Sequence, residues 1–411
     1  MPWQRPAILS PETSDNPGWE SDNLRGETRR SPSVEFGLEI MSDITANLPS
    51  FQFESGIDVC HHQFLHLRER SRGFMLNACS HAVFLCKLLN AIRQKEEHDR
   101  TLLPLKVSNL NLDIKRDRLK VGIIGGGHTG KQLAKVLLEL SGLLAEHIQI
   151  STRRPETLYE LQSLGIECFY NNRHLAAWAD VLFLCCLPSQ LLNICSEIKM
   201  DLCVSSIVYS LVSTVPIPRL KQLLCHSNIL RPVYRNETSD DSHIWGTSGN
   251  ITAALHNAAI VQATCPWKPK GGMTLNVRWF AAVLYAALNS CSSQNLSHRQ
   301  SLQLLNKLLS HPPSSSQEEG KSCQELVCRD FVSQRFTASL EKEDAFPWFD
   351  LTTVQQKETP FSKLLMSSPA FQEHLLKVYC ASFGISVQLR GNRISSKPIP
   401  KKSVLLVQIP C

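Results

Sequence analysis

Gly125, Gly127 and Gly130 fall in a G-x-G-x-x-G spacing within Lys120-Val121-Gly122-Ile123-Ile124-Gly125-Gly126-Gly127-His128-Thr129-Gly130-Lys131. That spacing suits a pyrophosphate. The first glycine turns the chain tightly at a strand end. The second, lacking Cβ, lets phosphate approach the backbone. The third lets the following helix pack close to the strand. The start of that helix, at His128 and Thr129, presents free N–H groups and the positive end of the helix dipole. The surrounding pattern supports the motif. The residues before it are apolar and β-branched, and Gln132 to Leu140 has helical character, so the stretch reads as a dinucleotide site.

A second determinant lies about 20 residues beyond the glycines, where an Asp or Glu would accept hydrogen bonds from the ribose of NAD. Here the chain reads Ile150-Ser151-Thr152-Arg153-Arg154-Pro155, with no acid. Guanidinium offers planar, bidentate donors to a phosphate, and the hydroxyls of Ser151 and Thr152 are candidate further donors. Two arginines alone would read equally well as the start of a surface loop. Downstream of the glycine motif, they favour the 2′-phosphate of NADP.

The elements that must position these residues alternate. Strands are expected at 120–125, 147–152, 166–170, 181–186, 206–212 and 229–234. Helices are expected at 129–142, 155–164, 171–180 and 191–198, with Gly165 closing the second. Val181-Leu182-Phe183-Leu184-Cys185-Cys186 is continuously apolar, as strands buried on both faces are. The expected fold class is α/β: a Rossmann-type, doubly wound, mostly parallel sheet followed by a mainly helical C-terminal domain.

The flanking segments follow from composition. Residues 1–35 are polar and proline-containing, a disordered tail. Residues 36–119 form a partly helical extension, with a helix over Phe74–Ile92 ended by the charged run Arg93–Arg100, and a strand at Leu103–Leu112. The cofactor-binding domain spans 120–235 and the helical region 236–387. In that region helices are expected at 275–288, 302–309, 326–340 and 371–383, with a loop at His311–Ser316. A basic tail covers 388–411.

The chain has 411 residues, enough for two or three domains. Its net charge of +6 is spread thinly along the chain. No arginine stripe interleaves with aromatics, so no nucleic-acid partner is expected. The 15 cysteines follow no framework, and several sit in apolar runs, consistent with free thiols in a reduced compartment. Cys60-His61-His62 has no second ligand pair at zinc-like spacing, so no metal is expected. The first residues have no apolar core of a secretory signal. The uncharged run Phe280–Leu288 is too short to span a bilayer. A cytoplasmic protein with no membrane partner is the expectation.

The order of these motifs resembles pyrroline-5-carboxylate reductases. The resemblance rests on Val121–Gly130, Ile150–Arg154, Leu164-Gly165-Ile166, Ala179–Leu184 and Pro188, and the same domain type occurs in NADP-dependent, coenzyme-F420-type oxidoreductases. It implies that Gly125, Gly127, His128, Thr129 and Gly130 hold the pyrophosphate. Ser151, Thr152 and Arg153, with Arg154 beside them, would take the 2′-phosphate. The turn at Cys186-Leu187-Pro188-Ser189-Gln190, with Leu187 and Pro188 at its centre, would run beside the nicotinamide half. It further implies hydride transfer from NADPH to a small C=N or C=O substrate of unknown identity, and a homodimer. The chain departs from the family pattern at several points. His128-Thr129 replaces Asn-Met, and Cys186-Leu187-Pro188 replaces Val-Lys-Pro. The Gly-Ser-Gly-Pro-Ala and Ser-Pro-Gly-Gly-Thr-Thr signatures of the substrate half are missing. No catalytic residue can be assigned. Tyr209, Ser210, His128 and Tyr234 lie near expected strand ends or cofactor turns, where packing explains them as well as chemistry does. A protein that kept the cofactor domain and lost the substrate site is the alternative.

Overall fold

The structure, a computed structural model, describes residues 53–101, 118–237, 244–247, 249–267, 271–310 and 325–386. The expected tails at 1–35 and 388–411, the strand at 103–112 and the loop at 311–316 lie outside them. The chain divides between Val59 and Cys60. In the first unit the described element is a 3₁₀ turn, Phe53–Gly56. Everything that follows belongs to the second unit.

That unit begins with α1, His66–Thr101. The chain then alternates through β1 (Val121–Ile124), α2 (His128–Leu140), β2 (Ile148–Ser151), α3 (Tyr159–Ser163), β3 (Glu167–Phe169) and α4 (Asn172–Trp178). It continues with β4 (Val181–Leu184), α5 (Pro188–Ile198), β5 (Ile207–Ser210), α6 (Ile217–Leu224) and β6 (Ile229–Leu230). The six strands form one parallel sheet in the order β3-β2-β1-β4-β5-β6. The order reverses between β1 and β4, whose C-terminal ends flank the crevice where ligands of such sheets bind. β1, β2, β4 and β5 are buried along their whole length.

Two apolar layers sandwich the sheet. On one face Ile123, Ile150, Phe183 and Tyr209 pack under α1, α2 and the C-terminal helices. On the other, Ile124, Leu182, Leu184 and Val208 pack under α4, α5 and α6. The loop before β3 turns as expected, with Gly165 at φ +91° and the N–H of Ile166 returning to Leu161.

Several elements differ from the sequence reading. The charged run Arg93–Arg100 does not end α1, which continues to Thr101. Gln, Lys, Glu and Arg are good helix formers, and no glycine or proline interrupts them. α1 is also more than an appendage. Leu76, Val83, Leu85, Leu89 and Ile92 are buried, and the helix packs against α2. It is long and apolar enough to cross a membrane, yet 83% of its most apolar window is buried within the protein. The strand expected at 229–234 is two strands. Pro232 lacks an N–H for a ladder, and beyond it β7 (Tyr234–Asn236) leaves the parallel sheet. It pairs antiparallel with an unanticipated β8 (Met273–Leu275).

Between β7 and β8 lie the short helices α7 (Ile251–Ala254) and α8 (Ala258–Ala263). After β8 come α9 (Val277–Ser293), α10 (His298–Ser310), α11 (Gln334–Ser339), α12 (Leu351–Gln356), α13 (Pro360–Ser367) and α14 (Pro369–Ala381). The helix expected over 326–340 is instead a 3₁₀ turn at Cys328–Asp330 followed by α11, which Ser333 caps afresh. α9 is the hub, buried from Trp279 to Asn289 and packed against α1, α10, α12 and α13. α12 covers the sheet edge. Gln355 donates to the carbonyl of Ile229 at 2.7 Å and accepts from the N–H of Arg231 at 3.0 Å. One side chain thus satisfies groups that an open edge strand would leave exposed.

Candidate cofactor site

The three motif glycines do different jobs. Gly125 has φ +112°, and a Cβ on it would meet the Cys185 carbonyl oxygen at 2.7 Å. A Cβ on Gly130 would meet the Gly125 carbonyl oxygen at 1.9 Å. Both are required by the turn and by the seating of α2 on β1. Gly127 has no atom within 4 Å of its would-be Cβ. Nothing in the protein requires glycine there, so the open space above it is left for a ligand. Gly127 is also the N-cap of α2 and supplies no side-chain cap, which leaves first-turn N–H groups directed outward. Gly126, which the spacing rule skips, is tightly fitted, because a Cβ would lie 2.9 Å from Thr152 Oγ1.

These glycines form one wall of a cleft of about 700 Å³ across the strand ends, a volume typical of small-molecule sites. The exit of β2 forms the second wall. The cleft brings together Gly125, Gly127, His128, Thr129, Ser151, Thr152, Arg153, Arg154 and Leu187. Gly130 is buried behind the turn, and Pro188 is the exposed first residue of α5, where its missing N–H costs nothing. Neither lines the cleft. Each shapes the wall on which its neighbours sit.

Ser151 corrects an expectation. It is 1% exposed, its hydroxyl donates to Asn172 Oδ1 at 2.7 Å, and it accepts the N–H of Asn171 at 3.2 Å. Its hydrogen is therefore committed inside the protein, and a phosphate would find donors in Thr152, Arg153 and Arg154 instead. Arg153 and Arg154 are exposed. Among the described residues, neither guanidinium has a carboxylate partner. The loop that carries them is held to α2 by Lys131 Nζ on the carbonyl of Thr157 at 2.8 Å, and α3, which follows it, by the Lys135–Glu160 ion pair at 2.8 Å.

The third wall comes from β4 and α5. Cys185 and Cys186 line it, but burial pushes both thiols up, Cys186 to about 11. They are protonated, apolar wall residues rather than nucleophiles. Further along α5, Gln190, Asn193, Ile194 and Glu197 face the cleft at helical spacing, and Tyr170 and Asn172 join them from the end of β3. Gln190 ends the turn that the resemblance sets beside the cofactor; no motif marks the other five, and only the tertiary fold assembles them.

The residues considered for catalysis lie elsewhere, His128 excepted. Ser210 is buried and accepts the N–H of Val212. Tyr209 is fully buried, and its hydroxyl lies against that of Tyr234 without hydrogen-bonding geometry. Tyr234 pairs with His81 Nδ1 at 2.9 Å, and His81 Nε2 faces the carbonyl of Thr264 at 2.7 Å. The carbonyl can only accept, so Nε2 carries the hydrogen and Nδ1 accepts from the Tyr234 hydroxyl. Burial lowers His81 to about 4 against the opposing hydrogen bond to Thr264. It is neutral and structural at ordinary pH. No signal in the sequence marks His81, which sits in α1, well upstream of the glycine motif.

Comparison with known proteins places this geometry. Residues 120–213 match the family described as NADP oxidoreductase, coenzyme F420-dependent. The mouse NADP-dependent oxidoreductase domain-containing protein 1 is 45% identical over 353 residues, covering 85% of this chain and 95% of that protein. The chain belongs to that family. The Escherichia coli pyrroline-5-carboxylate reductase is 29% identical over 108 residues, 26% of this chain and 40% of the enzyme. Among solved structures, the Plasmodium falciparum pyrroline carboxylate reductase with NADP bound covers 65% of this chain and 96% of its own. It matches at 14% identity and a TM-score of 0.26. The family is thus one of NAD(P)-binding oxidoreductase domains related to pyrroline-5-carboxylate reductase. The high coverage of the mouse relative shows that α1 and the helical half belong to the family chain, while the bacterial match stays within a fraction of it.

Proposed function

We propose that the cleft holds NADP(H) and that the protein transfers hydride between NADPH and a small C=N or C=O substrate. One observation carries the cofactor reading. Two exposed arginines, unopposed by a carboxylate at the exit of β2, stand beside a glycine turn whose middle glycine borders empty space. The residues fit the group. Helix N–H groups at His128 and Thr129 would face the pyrophosphate. Thr152, Arg153 and Arg154 would hold the 2′-phosphate through charge-assisted hydrogen bonds. The bound nicotinamide would supply the hydride, which protein side chains cannot. This chain's part is to orient the two reactants. A protonated imine is already electrophilic, so positioning can provide much of the acceleration.

A second reading is that the protein binds NADP(H) without turning it over. It is favoured by the closed packing around Tyr209 and Ser210 at the end of β5, both about 1% exposed or less. Titrations followed by nicotinamide fluorescence separate the claims. NADPH should bind at least about tenfold tighter than NADH, and Arg153→Ala should remove most of that preference while leaving NADH binding nearly unchanged. Equal binding of both cofactors by the native protein sinks the NADP assignment. NADPH oxidation with pyrroline-5-carboxylate and a panel of imines and carbonyls then tests turnover. Tight binding with no oxidation of any panel member establishes the second reading.

A further inference from the structure

β2 and β3 are paired with Ser151 opposite Phe169, so the residues that follow them emerge side by side. Arg153 and Arg154 leave one strand, Tyr170 and Asn172 the other. In NADP the 2′-phosphate and the adenine hang from the same ribose. If the arginines take the phosphate, the base lies within one ring's reach of them, and the β3 exit is the wall it meets.

That wall carries a side-chain chain that the cofactor reading does not use. Asn171 N–H donates to Ser151 Oγ at 3.2 Å, Ser151 Oγ donates to Asn172 Oδ1 at 2.7 Å, and Asn172 Nδ2 donates to Glu197 Oε2 at 2.9 Å. The direction is fixed from the backbone outward. A hydroxyl donating to Asn172 Oδ1 leaves its NH₂ to face Glu197, and a carboxylate can only accept. Ser151 and Asn172 are buried at 1% and 4% exposure, whereas Glu197 is exposed on the cleft. The nearby cation Arg173 is engaged by both oxygens of Asp201, at 2.9 and 3.3 Å. Among the described residues Glu197 forms no ion pair, feeling Arg173 only at longer range, and it lines the cleft. Tyr170, 59% exposed, and Ile194 border the same space with an aromatic ring and an apolar side chain.

We propose that Glu197, oriented through Asn172 and Ser151, accepts a hydrogen bond from the 6-amino group of the adenine and selects adenine over 6-oxo purines. The proposal rests on the reading of the cleft as an NADP(H) site. Adenine offers a donor at position 6. Hypoxanthine puts a carbonyl oxygen there, and two acceptors facing each other repel. Ser151 thereby has a role without touching phosphate, because it fixes the amide that fixes the carboxylate.

The test compares NADPH with its hypoxanthine counterpart, both followed by nicotinamide fluorescence on the full chain. The native protein should bind the adenine form about tenfold tighter, the scale of one charge-assisted hydrogen bond. Glu197→Ala should bring the ratio close to one, chiefly by weakening NADPH. Glu197→Gln can turn its amide N–H toward a carbonyl, and should bind the hypoxanthine form more tightly than the native protein does, a gain that misfolding cannot imitate. Equal affinities in the native protein, or a ratio unchanged in Glu197→Ala, overturn the role of Glu197 while leaving the cofactor site standing. Binding of neither nucleotide overturns the cofactor reading and this inference together.

Discussion

The cleft and the interior behind β5 both lie along the sheet, yet they treat polar groups in opposite ways. In the cleft, Arg153 and Arg154 stand exposed, Gly127 borders open space, and the Ser151–Asn172–Glu197 chain ends at solvent. Behind β5, most polar groups are paired with one another, while the Tyr209 hydroxyl and Trp279 Nε1 are buried without a hydrogen bond. His81 takes the Tyr234 hydroxyl and the Thr264 carbonyl, Thr264 Oγ1 meets the Tyr379 hydroxyl at 2.9 Å, and rings of Trp279 and Tyr234 pack on the imidazole. A polar group held by the fold contributes stability and leaves nothing for a ligand. A polar group left unpaired at the surface contributes little stability and keeps its capacity for binding. The difference separates what this chain leaves open to a ligand from what it uses to stay folded. α1 is the divider, because it supplies His81 and seals that side of the sheet.

The sharpest way to break the comparison is at a glycine that belongs to the fold. A Cβ on Gly130 would sit 1.9 Å from the carbonyl oxygen of Gly125. Backbone cannot rotate away as a side chain can, so Gly130→Ala must lift α2 from β1. The expected loss is about 3 kcal/mol or more, at the upper end of overpacking costs, together with the loss of NADPH binding. Thermal unfolding checks it, and a variant melting with the native protein would show that the helix is not seated on this glycine.

The buried side of the comparison responds to acid. His81 is lowered to about 4 by burial, against an ordinary value of 6.5. In the unfolded chain it takes a proton as pH falls through 6.5, while the folded protein resists until about 4. The unfolded state therefore binds more protons across that window, and stability falls as pH drops through it, by about 3 kcal/mol in full. Above pH 6.5 this contribution is flat. Denaturant unfolding of the native protein and His81→Gln at pH 7 and pH 4.5 should show a steeper acid loss in the native chain. Parallel losses would remove His81 as the cause.

The parts of this design legible in the sequence are those with strong local chemistry. β4 was readable because a strand buried on both faces runs continuously apolar, as Val181–Leu184 does, and β1, β2 and β5 because β-branched residues recur in each between turn and helix signals. The glycine turn was readable because its backbone geometry admits so few residues. Elements decided by tertiary partners were not. β7 and β8 pair across two intervening helices, and nothing local to Tyr234 announces Met273 as a neighbour. The length of α1 was hidden because a charged run signals solvent, not a helix end. In the site, hydroxyls at Ser151 and Thr152 look equivalent by type, and only the fold turns the first toward Asn172 and leaves the second half-buried on the cleft. Glu197 carries no motif at all, since it reaches the cleft from the last turn of α5.

Gly127 tests the comparison from the other side, with the smallest expected effect on stability. Its φ of −75° is open to any residue, and its would-be Cβ meets nothing within 4 Å. Gly127→Ala should therefore leave the melting temperature nearly unchanged, within the roughly 0.5 kcal/mol typical of neutral surface changes. The methyl group would instead occupy the space through which a pyrophosphate reaches the helix N-terminus. NADPH affinity should fall about tenfold or more, the cost of holding a charged group off its N–H donors. Gly130→Ala and Gly127→Ala, three residues apart in one motif, should thus separate completely, one lost in folding and the other in binding. If Gly127→Ala binds NADPH as the native protein does, the space above this glycine is not where the phosphates lie, and the cofactor must enter the cleft by another wall.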